Sequence, residues 1–341
     1  MQRMTHATQI DNFWHIELAM SKVDTENADA FHPSDRDLIA DAVRGSAGGF
    51  TAVNGRIHQH LRSWLVQAAR QLYESHVASL GASDHVTMAT RGWFAYLLQN
   101  QGFLAEAEEL SRENLRLQRA LPARARTRDG VRYAMNSLAG VLTLRGEYDE
   151  AVQLYREVLK DRRDENITTL ATMNNLASTL YRQQRYAESE PLYRDALRGL
   201  RVRCGEAHSN VLLCQKNLGA ALAHMGRLEE AEAEHDAALR TSLRELSAKH
   251  AVTLEIHDSL ADLRLLQGRR EEAARMYADV LRCRVELLGG EHHDTVATRN
   301  KLQALRVQAA VEHSGKPGLA PAEAGVAVTF TAAEACPLPP P

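Results

Sequence analysis

The chain has 341 residues, of which 44% are hydrophobic but only 5% aromatic, and its formal net charge of -3 sets up no field toward nucleic acid or an anionic membrane. Nowhere do 18 apolar residues run together, and Cys204, Cys214, Cys283 and Cys336 have neither the CxxC spacing of zinc and redox sites nor the density of a disulfide scaffold. These features exclude a membrane span and a secreted disulfide framework, and they lead to the expectation of a cytoplasmic protein.

Residues 1–80 read as a helical cap. A helix is expected near residues 8–22, and a second begins at Ser34, runs through DRDLIADAV and stops at Gly45. Gly45, Gly48, Gly49 and Gly55 predict a flexible stretch. Ile57, Leu61, Trp64, Leu65, Ala68 and Leu72 then form an amphipathic stripe.

From residue 83 the sequence repeats itself. A Leu followed by a small residue recurs at Leu138, Leu176, Leu218 and Leu260, with Leu302 as a last copy, at spacings of 38, 42, 42 and 42. Eight residues after each of the first four comes Gly146, Gln184, Gly226 or Gly268, and thirteen after comes Ala151, Ser189, Ala231 or Ala273. An earlier copy has Phe94, Gly102 and Ala107. Each unit predicts helix, tight turn, helix, with the Gly position closing the first helix in a left-handed cap and the small residues marking close helix approach. One unit cannot bury both of its faces, so stacked neighbours must close the core. His208, His250 and His292 also recur at 42 residues, which predicts a structural role at each joint, such as capping the next helix.

The stretches MNNLASTL (173–180), GEYDEAVQLYREVL (146–159), RYAESEPLYRDAL (185–197) and the long LRCRVELLGGEHHDT carry a resemblance to tetratricopeptide repeats, and the 42-residue period resembles the kinesin light chain type. ARQLYESHVASLG resembles the second helix of a degenerate half repeat. The chain departs from the type in two ways. Ser209, Ala251 and His293 stand where His-Pro joints are usual, so the joints are expected to be looser, and residues 1–80 lack a heptad coiled coil.

The resemblance implies an all-α, right-handed superhelix (α-solenoid) of five helix pairs and a final helix over residues 83–313, with a protein or peptide partner lying in its concave groove. It also implies that the residue two before each marker Leu faces that groove: Asn136, Asn174, Lys216, Asp258 and Asn300. An Asn side chain both donates and accepts, so such a ladder could hold a peptide backbone without demanding its sequence. Helical spacing adds Tyr133, Tyr181, Arg182, His224, Glu255 and Asp262 to that face. The middle of the groove is then expected to be basic (Arg182, Lys216, His224) and the later part acidic (Glu255, Asp258, Asp262).

Chemistry of other kinds finds little support. His58/His60 and His292/His293 are the best metal candidates, yet neighbours one or two apart point to different faces and nothing completes an HExxH or CxxC set, so no metal or cofactor is expected. P-loop, GxSxG and dinucleotide motifs are missing, and Glu-rich turns such as LEEAEAEH and GRREEAAR read as solvated helix surface, so no enzyme activity is expected. The competing expectations are self-association through the cap or an end unit, and a small sensor or catalytic element carrying Trp14, His15, His32, His58 and His60, with the repeats as its recruitment arm. Residues 314–341 hold six of the nine prolines and end in PLPPP, which predicts a disordered tail.

Overall fold

A computed structural model describes residues 49–122, 127–160, 166–290 and 292–314. Among these residues there are twelve α-helices and no strand. They are α1 (Gly49–Leu80), α2 (His85–Asn100), α3 (Leu104–Ala120), α4 (Arg128–Arg145), α5 (Tyr148–Leu159), α6 (Ile167–Arg182), α7 (Tyr186–Cys204), α8 (Ser209–His224), α9 (Leu228–Glu245), α10 (Ala251–Leu266), α11 (Arg270–Leu288) and α12 (His293–Ser314). The fold class is all-α, a series of helix–turn–helix hairpins. Trp14, His15, His32, the helices expected near residues 8–22 and after Ser34, and the proline-rich tail beyond residue 314 lie outside the described residues.

The chain forms two compact units. Unit 1 contains the described residues from Leu65 to Ala248, and unit 2 those up to Trp64 together with those from Lys249 onward.

Helix starts and stops follow from the residues at the joints. Asp84, Thr127 and Asn166 accept from the backbone N–H of Val86, Gly130 and Thr169, which satisfies donors that a first turn leaves open. At the later joints the recurring histidines do the same work. The Nδ1 of His208 accepts from Asn210 N at 3.1 Å, that of His250 from Val252 N at 3.3 Å, and that of His292 from Asp294 N at 3.3 Å. First helices end in left-handed turns at Gly102, Gly146, Gly226 and Gly268, and Gln184 takes the same turn at φ 61°. In each, the N–H after the turn reaches back to a carbonyl, as Arg185 N does to Leu180 O at 2.9 Å.

The repeat markers are core. Leu138, Leu176 and Leu218 in unit 1, and Leu260 and Leu302 in unit 2, are at most 5% exposed, and Ala151, Ser189, Ala231 and Ala273 are fully buried. In three hairpins a tyrosine from the second helix is buried, Tyr155 and Tyr193 in unit 1 and Tyr277 in unit 2. Tyr193 donates to Ser178 Oγ at 2.9 Å and Tyr277 to Asp262. His235 replaces this tyrosine in α9, donating from Nδ1 to Ala231 O at 2.8 Å, and a Cβ on Gly219 would lie 2.3 Å from its ring. Glycine at 219 is therefore the space that admits the imidazole.

Two local expectations need correction. Gly49 and Gly55, expected in a flexible stretch, are helical and belong to α1, while Gly45 and Gly48 lie outside the described residues. A glycine costs a helix only about 1 kcal/mol, and the apolar spacing around it outweighs that. The stripe of α1 is also rotated: Leu65 and Ala69 are buried, whereas Trp64 is 49% exposed.

The acidic second helices bond across hairpins as well as along themselves. Arg112 binds Glu150 through two bonds of 2.7 and 2.8 Å and also pairs with Glu108 at i,i+4. The Glu residues of LEEAEAEH and GRREEAAR pair locally, Glu230 with Arg227 and Glu272 with Arg269.

Candidate peptide-binding face

The first helices of the hairpins carry the site residues read from the sequence. In unit 1 these are α4, α6 and α8. Asn136 is half-buried on α4, and its Nδ2 donates to Thr172 Oγ1 on α6 at 2.8 Å. The Thr172 hydroxyl already donates to Thr168 O at 2.8 Å, so it can only accept from Asn136. That fixes the amide's orientation, and Asn136 Oδ1 is left buried with no partner among the described residues.

One hairpin further, Asn217 Nδ2 donates to Asn174 Oδ1 at 3.4 Å, and Asn174 Nδ2 to Asn175 Oδ1 at 3.4 Å. The Asn217 oxygen is again buried without a partner among the described residues. Tyr133 leans over Gly92, whose hypothetical Cβ would lie 3.0 Å from the ring, and burial raises its phenol pKa. Lys216 is 5% exposed rather than presented to solvent.

Tyr181, Tyr186 and His224 form an aromatic cluster in unit 1. His224 stacks on Tyr186 at 5.0 Å and 13°, while Tyr181 meets Tyr186 edge-on at 5.3 Å and His224 at 5.4 Å. Partial burial lowers the His224 pKa and favours the neutral ring. Arg182 is half-buried beside it. Of the three residues expected to make the middle basic, His224 thus has a lowered pKa and Lys216 is enclosed.

The acidic later part takes a different form from the expected open surface. In unit 2, Asp258 and Asp262 on α10 share Lys301 of α12, with Lys301 Nζ 2.6 Å from Asp258 Oδ2 and 2.8 Å from Asp262 Oδ2. Asp258 Oδ1 accepts from Thr298 at 2.9 Å and from Arg284 at 3.4 Å, and Tyr277 donates to Asp262 Oδ1. Burial acts to raise the Asp258 pKa, but Lys301 and Arg284 outweigh it and hold the carboxyl below its usual range. For Asp262, burial and the neighbouring Asp258 charge win over Lys301 and raise it. Glu255 is half-buried and Asn300 is exposed. The charges of Asp258 and Asp262 are therefore spent within the chain.

His292, His293 and Asp294 offer ligand atoms within 4.8 Å of one another, the one group among the described residues that could hold a metal ion. Two guanidinium groups, of Arg62 and Arg284, lie near it. Burial, and then Arg62, push the His292 pKa down to about 3, Arg284 also lies near Asp294, and His292 Nδ1 is engaged as a helix cap. His60 is exposed.

The sequence reading missed the partners of the ladder. The residue two before a marker Leu bonds to the residue four before the next marker (Asn136 to Thr172, Asp258 to Thr298), or to the residue one before it (Asn174 to Asn217, Asp258 to Lys301). The 42-residue period was the available signal, since it places Asn217 and Lys301 in register.

Helix pairs closed by left-handed turns, with polar ladders on their first helices, define a tetratricopeptide array. Tetratricopeptide repeat profiles match residues 168–232 and 209–284, and another matches 131–165. Tetratricopeptide repeats therefore make up these parts of the chain, and they resemble the kinesin light chain type. The kinesin light chain TPR-like repeats of Podosopora anserina are 22% identical, covering 58% of this chain and 94% of that one, with a TM-score of 0.48. BtubC (BKLC) from P. vanneervenii is 19% identical over 76% of this chain and 92% of its own, with a TM-score of 0.46. YrrB, described as a TPR protein with an unusual peptide-binding site, is 16% identical over 67% of this chain and 98% of its own, with a TM-score of 0.37. No curated protein matches the chain. Arrays of this kind are typically non-enzymatic scaffolds for protein or peptide partners. No helix among the described residues is long and apolar enough to cross a membrane.

Proposed function

We propose that this protein is a cytoplasmic adaptor that holds a segment of another protein against the first helices of its hairpins, with Asn136 and Asn174 engaging the partner's backbone. The observation that carries the reading is Asn136 Oδ1. Its amide is locked by Thr172, which has no donor to spare, and a buried acceptor without a partner costs about 1–3 kcal/mol. A backbone N–H from a bound segment that reaches this oxygen would recover that cost. Asn217 Oδ1 repeats the arrangement at the next rung. The aromatic cluster of Tyr181, Tyr186 and His224 supplies an adjoining face on which an apolar side chain of the partner can rest. Cys204, Cys214 and Cys283 are free thiols, which suits a reducing compartment.

The test is a lysate pull-down with the full chain, comparing the native protein with the triple variant Asn136→Ala, Asn174→Ala and Asn300→Ala, and with helicity followed by circular dichroism. A partner retained by the native chain and lost by the folded variant supports the reading. Recovery of the same partners by both sinks it.

A further inference from the structure

The last helix of unit 2 is held in an unusual way. Among the described residues of α12, those buried are Asp294, Thr295, Thr298 and Leu302, of which Leu302 alone is aliphatic. By contrast α10 buries Val252, Leu254, Ile256, Leu260, Ala261 and Leu263. Beside Leu302 and the partly buried Leu305, the hold on α12 is polar: Arg284 of α11 donates to Asp294 O at 3.2 Å and to Thr298, and Lys301 adds an ammonium group. Lys301 Nζ sits between Asp258 Oδ2 and Asp262 Oδ2, 5.5 Å from the centroid of the Tyr277 ring, a geometry that adds a cation–π term to two charge-assisted hydrogen bonds.

The walls of this site come mostly from α10 and α11. Tyr277 on α11 holds the Oδ1 of Asp262, while Asp258 Oδ1 accepts from Thr298 of α12 at 2.9 Å and from Arg284 of α11 at 3.4 Å, which leaves the two Oδ2 atoms aimed at a common point. Two carboxylates and an aromatic ring around one point form a receptor for a primary ammonium ion. Below it, Ala261, Ala273 and Tyr277 make the apolar seat that receives Leu302.

We propose that Asp258, Asp262 and Tyr277 form a lysine-binding box on the helix-docking face of unit 2, that α12 fills it as a ligand in cis, and that a partner helix carrying the same Thr-x-x-Lys-Leu arrangement takes its place. The proposal rests on the scaffold reading above and specifies the partner chemistry for unit 2. The arrangement in this chain is Thr298, Lys301 and Leu302, which fall on one face of a helix at i, i+3 and i+4. Gly289 ends α11 at φ 84°, and Gly290 O accepts from Arg299 of α12 at 2.6 Å, a bond that must break for α12 to leave.

The test uses the full chain carrying Lys301→Ala. Adding n-butylammonium chloride should raise the melting temperature of this variant by several degrees more than the same concentration of sodium chloride does, and should leave the native protein at its sodium chloride value. A fluorescent peptide of residues 293–314 should bind the variant saturably by anisotropy. Binding should weaken about tenfold or more when the peptide's own lysine is changed to methionine, or when the protein also carries Asp258→Asn. Lys301→Met, which keeps the aliphatic stem, replaces the alanine variant if circular dichroism shows lost helicity. An amine response equal to that of sodium chloride, or peptide binding that is absent or indifferent to the lysine, overturns the proposal. Neither readout involves Asn136 or Asn174, so failure here is distinct from failure of the Asn variant to lose its partner.

Discussion

The same rung is built twice in this protein from different chemistry. In unit 1 it joins Asn217 to Asn174 at 3.4 Å, and in unit 2 it joins Lys301 to Asp258 at 2.6 Å, across the same 43-residue step. The companion rung also recurs, as Asn136 to Thr172 in unit 1 and Thr298 to Asp258 in unit 2. Backbone geometry thus dictates where the contact falls, and the side chains decide what it is worth. A neutral amide pair contributes little stability but keeps hydrogen-bonding capacity for a visitor. A buried ion cluster holds its own helix firmly and has no capacity left until that helix moves.

The largest effect that should separate the two rungs comes from removing the acceptor in each. Asp258→Ala leaves Lys301 and Arg284 with one fewer carboxylate in a largely buried cluster and should cost about 3–5 kcal/mol, whereas Asn174→Ala should cost about 0.5–1.5 kcal/mol. Hydrogen exchange of the α12 amides against those of α6 checks both in one experiment. Equal, small losses would mean that the unit 2 cluster is no more than a screened surface pair.

Much of this was legible beforehand, and the reason is periodicity. Leu138 and Ala151 lie on a grid that recurs because each hairpin buries the same positions, and Gly146 because the first helix ends in the same left-handed turn, so the hairpins could be read off directly. Asn136, Asn174 and Asp258 fall on first helices for the same reason. Their partners were not found, because whether Asn174 meets Asn217 depends on how two helices are rotated about their axes, and spacing alone does not say. The spent charges of Asp258 and Asp262 were missed on similar grounds: Lys301 lies beyond the last complete hairpin, where the pattern no longer directs attention. Trp64 failed differently. An amphipathic stripe is wide enough to be drawn one residue off, and Leu65 with Ala69 took the buried edge.

A smaller difference between the units should appear with pH. Asp258 and Asp294 both have carboxyls held below their ordinary value, so the stability they contribute is present above the unfolded carboxylate value of about 4 and is lost as pH falls through the lowered folded values. Asp262 has the opposite sign: its raised value means the folded state takes up that proton more readily, which offsets part of the loss. Protection of α12 should therefore fall below about pH 4 while the Asn136–Thr172 and Asn174–Asn217 rungs, which contain no titrating group, stay as they are. Asp262→Asn removes the offset and should make the acid loss of α12 steeper. A loss that is unchanged or shallower in that variant would show that the two aspartates do not oppose each other.

The smallest effect concerns unit 1 alone and isolates the turn from the rung. Gln184 occupies the left-handed turn that glycine occupies at Gly146 and Gly226, with φ 61°, and it is exposed, so its side chain packs against nothing that would offset the strain. A residue with a Cβ costs about 1 kcal/mol there relative to glycine, while glycine gives back part of that gain through the greater freedom of its unfolded chain. Gln184→Gly should accordingly stabilise unit 1 by about 0.5 kcal/mol and shift its denaturant midpoint upward without changing the slope. The amide rungs would be untouched, because Arg185 N still reaches Leu180 O and the orientation of α6 is set by its buried Leu170, Met173, Leu176 and Leu180. If the variant instead lowers the midpoint, the turn is not strained, and the side chain of Gln184 supports the hairpin through a contact that its exposure conceals.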